Sequence, residues 1–133
     1  MSKFISSWWT IEAAPGWLAE QDEKCISFFR EDGVGSLQIS AYKDDNATVT
    51  DYQLEEVLKE QCPNSAVIQK VRCDEFTGVE VDYIVEDRYW RKRLVTTGSL
   101  VIFSTYNSAA HDQAVEREAV DQMLASLKSR RTT

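Results

Sequence analysis

The stretch from Gly78 to Phe103 constrains the fold more than any other part of the chain. Val79, Val81, Tyr83 and Val85 alternate with Glu80, Asp82, Ile84 and Glu86. Such alternation marks a strand with two unlike faces. Tyr89 to Thr97 reads as the next strand, and after Gly98 the apolar run Leu100-Val101-Ile102-Phe103 reads as another. Strand follows strand, without the βαβ alternation that builds a parallel sheet, so an antiparallel sheet is predicted.

The remainder fits around that sheet. Lys3 to Ile11, rich in aromatic and β-branched residues, is predicted to be a first strand. Ala14-Pro15-Gly16-Trp17 is a turn with an apolar anchor behind it, and Cys25 to Arg30 a second strand. After the turn Glu31 to Gly35, Ser36 to Tyr42 sets Leu37, Ile39 and Ala41 against Gln38, Ser40 and Tyr42. Thr50 and Gln53 form a capping box for a helix over about 51–62, carried by Leu54, Val57 and Leu58 and closed by Pro63. Ala66 to Arg72 is a strand. A second helix is predicted over about 110–128, with Val115, Ala119, Val120, Met123, Leu124 and Leu127 on one face. The tail from Lys128 is expected to fray. The fold class is therefore α+β: an antiparallel β-sheet packed against two helices in a two-layer body, with residues 1–133 as a single domain. The chain is 43% apolar and 28% charged, which is ordinary globular composition.

Charge and cysteine usage exclude several classes. A net charge of −7 disfavours a nucleic-acid partner, because phosphate binding is driven by lysines and arginines that release counterions. The first residues, MSKFISSWWTIEAAPGW, lack the apolar core of a secretory signal, and no apolar run reaches the ~20 residues of a membrane span. Membrane insertion is not expected. Cys25, Cys62 and Cys73 are an odd, irregularly spaced set, as in a cytoplasmic protein. With His111 they would make a formal Cys₃His set, but structural zinc sites bring ligands in close pairs such as CxxC, and none exists here. No metal is expected. No GxGxxG or GxxxxGK[ST] occurs, and no cofactor is expected.

Three segments are candidate sites. Ser104-Thr105-Tyr106-Asn107-Ser108-Ala109-Ala110-His111-Asp112 holds hydroxyls, a carboxylate and the only histidine. Adjacent helical residues diverge by about 100°, so His111 and Asp112 do not suit a nucleophile–base–carboxylate relay. The segment fits better as a strand end at Tyr106 with Asn107 or Ser108 capping the second helix. In Glu86 to Arg93, basic residues interleave with Tyr89 and Trp90, and Tyr89, Trp90, Arg91 and Arg93 are the candidate binding surface. The competing reading is a hairpin with Asp87-Arg88 as its loop, placing Val85 opposite Trp90, Val81 opposite Leu94 and Asp82 opposite Arg93. Lys92 then lies beside Tyr83 and must run its stem over the ring. Third, Trp8 and Trp9 point to opposite faces of a strand, and an exposed Trp9 would be a contact anchor.

Pro15-Gly16-Trp17 before a strand pair, a single helix after Tyr42, and the closing strand SLVIFSTYN followed by EREAVDQMLASLK resemble the PsbP-like fold. That fold is shared by the extrinsic photosystem subunit, the Ran-binding import factor and bacterial DcrB-like proteins. The resemblance implies a binding or assembly module, some bacterial relatives being secretion-associated chaperones, and it implies no catalytic residues. The expected function is a small cytoplasmic, non-enzymatic module that binds a protein partner. Two alternatives are an immunity protein turning its acidic surface on a toxin, and a small-ligand-binding protein or enzyme using a pocket between sheet and helix.

Overall fold

The computed structural model describes residues 2–130. The chain forms β1 (Ser2–Ile5), β2 (Trp9–Ala13), β3 (Trp17–Gln21), β4 (Ile26–Arg30), β5 (Gly35–Lys43), α1 (Asp51–Lys59), β6 (Gln69–Cys73), β7 (Phe76–Val85), β8 (Arg88–Thr96), β9 (Leu100–Ala109), a 3₁₀ turn (Ala110–Asp112), α2 (Arg117–Ala125) and β10 (Lys128–Ser129). Seven strands make one antiparallel sheet in the order β3-β4-β5-β9-β8-β7-β6, and β1-β2-β10 make a small second sheet. This is the α+β architecture the alternation implies. No helix of the described residues is long and apolar enough to cross a membrane.

Strand alternation gives the large sheet two apolar faces. On the first, Phe28, Leu37, Ile39, Val95, Ile102 and Tyr106 pack with Val120, Met123 and Leu124 of α2 and with Trp9 and Ile11 of β2. On the second, Val79, Val81 and Leu94 pack with Leu54 and Leu58 of α1. The helices thus lie on opposite sides, and the body has three layers where two were expected. α1 lies over the β7–β8 part of its face, with Val101 and Phe103 of β9 at the margin of its core. Leu18, Gln38 and Tyr42, on the same face over β3–β5, stay exposed.

The predicted elements differ from the observed ones where polar groups bend the chain. Lys3 to Ile11 is two strands, not one. The Ser6 hydroxyl accepts the N–H groups of Trp8 (3.3 Å) and Trp9 (3.1 Å), folding the chain back between β1 and β2. α1 has the expected capping box but ends at Lys59. β9 runs on to Ala109, so Asn107 and Ser108 lie in the sheet opposite Trp90 and Tyr89 and cap no helix. The second helix starts at Arg117 rather than about 110, without a side-chain cap. β10 belongs to the tail expected to fray: Lys128 and Ser129 pair with Thr10 and Trp9. Residues 131–133 of that tail lie outside the described residues.

The β7–β8 hairpin turns through Glu86-Asp87, not Asp87-Arg88. Both turn residues have positive φ, 52° and 63°, as a type I′ two-residue turn requires. Arg88 is thereby spared that conformation. Val85 now faces Arg88, Tyr83 faces Trp90, Val81 faces Lys92, Asp82 faces Arg91 and Glu80 faces Arg93. The register moves by two residues, which leaves every side chain on its predicted face.

Candidate functional site

β8 separates the basic–aromatic cluster, because successive strand residues point to opposite faces. Tyr89, Arg91 and Arg93 lie on the α2 side, and Trp90 and Lys92 on the α1 side. Tyr89 is only 4% exposed, and its hydroxyl donates to Asp82 at 3.0 Å. Burial, then the hydrogen bond to Asp82 and its charge, push its pKa up to about 12. Arg91 Nε donates to Glu80 at 3.1 Å, and Arg93 Nε to the other Glu80 oxygen at 2.6 Å. Arg91 also reaches Asp121, tying β8 to α2. Burial opposes the charge on Arg91, yet Glu80 and Asp121 outweigh it and its pKa is raised.

Lys92 does run over aromatic rings. Its ammonium lies 5.4 Å from the Trp90 ring centre and 5.7 Å from that of Tyr83. It donates to the Gln61 carbonyl at 3.3 Å, which the Tyr83 hydroxyl also meets at 2.9 Å. The two side chains bind the chain that leaves α1 to the sheet. Tyr89, Trp90, Arg91 and Arg93 therefore form no common surface. Trp9, expected as an exposed anchor, is 2% exposed in the core beside Phe4. Trp8 is the half-buried one, with the Lys43 ammonium 5.9 Å from its ring centre.

The histidine segment is equally dispersed. The His111 side chain is 84% exposed and, among the described residues, pairs with its neighbour Asp112 at 3.4 Å. Asn107 accepts from Arg88, and the Ser108 hydroxyl donates to the Ala109 carbonyl at 3.0 Å. The cysteines are all free, and no group of three or more His, Cys, Asp or Glu among the described residues could hold a metal ion. The Cys73 thiol lies 3.3–3.4 Å from the carbonyls of Leu124, Ala125 and Leu127, closing the end of α2. Burial raises its pKa.

The feature the sequence reading missed is an open strand edge. β6 was expected from Ala66 but begins at Gln69, and it pairs with β7 only from Phe76 to Glu80. Extending the register would put Ala66 opposite Tyr83. Instead, residues 63–68 leave the sheet: the Ala66 N–H bonds to the Pro63 carbonyl at 3.0 Å, and Ala66 and Ile68 pack toward α1. The outer edge of β7 from Val81 to Val85 consequently has no strand beside it among the described residues. A groove of about 430 Å³ runs along it, with Pro63, Ala66 and Val67 on one wall and Val81, Tyr83 and Ile84 on the other.

Backbone geometry shows what this edge presents. In a two-residue hairpin the flanking residues, here Val85 and Arg88, form a hydrogen-bonded pair. Alternation along an antiparallel ladder then turns the N–H and C=O of Val81, Tyr83 and Val85 toward β8. Those of Asp82 and Ile84 face outward, into the groove. Ile84 is 51% exposed and Val67 73%, so two aliphatic side chains flank these open donors and acceptors.

No protein-family model matches the chain, and no curated protein matches it. Solved structures do. One is a crystal structure from Bacteroides thetaiotaomicron VPI-5482, with a TM-score of 0.71 at 23% identity over 97% of this chain and 48% of that one. The chain thus spans about half the length of that protein. Another is the solution structure of cyanobacterial PsbP (CyanoP) from Synechocystis sp. PCC 6803, with a TM-score of 0.64 at 11% identity over 97% of this chain and 92% of that one. At these identities the likeness is one of fold, and it is the PsbP-like fold.

Proposed function

We propose that the chain is a non-enzymatic protein-binding module that takes up an extended segment of a partner along the outer edge of β7. The observation carrying this reading is the unpaired stretch Val81–Val85 beside its groove. A sheet edge with free N–H and C=O groups adds a strand readily: main-chain hydrogen bonds supply affinity, and pockets for alternate side chains supply selectivity. The flanking aliphatic surface at Val67 and Ile84 adds apolar area for a guest to cover. We place the module in the cytoplasm, because Cys25, Cys62 and Cys73 all stand unpaired, as suits a reducing compartment.

Ile84→Pro tests the edge. Its N–H faces the groove and not β8, so proline removes an outward donor while keeping the β7–β8 ladder. Hydrogen exchange on the partner-bound chain should show the amides of Asp82 and Ile84 newly protected, and Ile84→Pro should lose the partner while keeping the wild-type circular dichroism. A partner bound equally by both proteins, with those amides still exchanging, refutes the reading.

A further inference from the structure

The groove also carries a chemical preference. Its charged linings are the two carboxylates of Glu80 and Asp82. Glu80 is already bridged by Arg91 and Arg93. Asp82 is exposed, accepts only the Tyr89 hydroxyl, and forms no ion pair among the described residues. Beyond it, the hairpin tip carries Glu86 and Asp87. Asp82 and Ile84 point their side chains to the same face, two residues apart, and are also the residues whose backbone groups face outward. A guest strand in line with β6 runs antiparallel to β7 and meets these two positions with residues two apart on its own chain.

Resting on the edge reading above, we infer that the segment taken up by β7 is an antiparallel strand of another protein with an aliphatic residue opposite Ile84 and a lysine or arginine two residues later, opposite Asp82. The aliphatic side chain covers Ile84 and Val67. The cation meets the one unpaired carboxylate in the groove. An acidic residue there sets like charges directly opposite each other, which is destabilising in a strand pair. The net charge of −7 acts in the same direction at longer range.

Two blocked peptides serve as probes: Ser-Thr-Val-Thr-Lys-Thr-Ser, and the same sequence with glutamate in place of lysine. They are titrated into the full chain by amide NMR at low salt. The lysine peptide should shift the Asp82 and Ile84 amides and bind about threefold to tenfold more tightly than the glutamate peptide, the range that cross-strand charge pairs allow. The margin should narrow as salt is added. Asp82→Lys should reverse the order, and Asp82→Asn, a gentler change, should abolish it. Equal affinity of both peptides at these amides overturns the charge preference and leaves the edge reading standing. Shifts absent from Asp82 and Ile84 with either peptide overturn both. Shifts there that grow with protein concentration alone assign the edge to a second copy and overturn the inference.

Discussion

Glu116 shows how much one side chain can organise. By residue type alone, a glutamate at this end of a helix would do no more than favour the positive end of the dipole. In the fold it is buried, and accepts the Tyr106 hydroxyl at 2.7 Å, Arg30 Nε at 3.1 Å and the Val34 N–H at 3.3 Å. It thereby fastens the β4–β5 turn and β9 to the start of α2. Tyr106→Phe removes a hydrogen bond to a charged group and should cost about 1.5–3 kcal/mol, measured by urea unfolding. None of this was legible, because Arg30 and Glu116 are brought together only by the sheet. The phenols give a second prediction. Tyr89 ionises at about 12 in the fold against 10.0 unperturbed, and burial, then Glu116, raises Tyr106 in the same direction. The native state therefore holds these protons more tightly than the open chain. Their contribution is whole below pH 10 and is lost as pH rises through about 12. Thermal unfolding should show that decline, and Tyr89→Phe should make it shallower.

At the scale of elements, alternation and capping were readable. β7 follows from period-two patterning, β8 and most of β9 from the strand-like runs after it, and the Thr50–Gln53 box forms as its spacing implies. The elements that escaped have weak patterns. β3 buries only Trp17, and its other four residues are exposed, so no alternation announces it. The hairpin register slipped by two because either dipeptide preserves the apolar face, and only turn geometry separates them. That geometry costs energy here chiefly at Glu86, since aspartate tolerates positive φ better than glutamate does. Replacing the pair by Asn-Gly, which type I′ turns prefer, should stabilise the protein by about 1 kcal/mol or more, seen as a higher urea midpoint with unchanged slope. A changed slope would count against an effect confined to the turn.

For the whole molecule, the class was legible but the strand order was not. Patterning says which face a residue takes, not which strand lies beside it. β9 sits between β5 and β8, pairing Gly35–Lys43 with Leu100–Ser108, strands well separated along the chain. Such non-local closure makes folding slow for the size, in about the millisecond-to-second range, which stopped-flow fluorescence of the tryptophans can check. The helices could not be assigned to opposite faces, since each shows an apolar stripe and nothing in a stripe names its target. The open edge of β7 was hidden for a related reason: it depends on three residues, 66–68, leaving a strand they are suited to join.

The shortness of that uncovered edge has its own effect on how the protein behaves in a crowded solution. Long bare strands recruit copies of themselves, layer on layer, into fibrils. Along β7, β6 occupies the lower half and the hairpin ends the upper half, so this stretch presents the outward-facing groups of only two β7 residues. A lodging of that length suits one brief visitor and offers little purchase for runaway stacking.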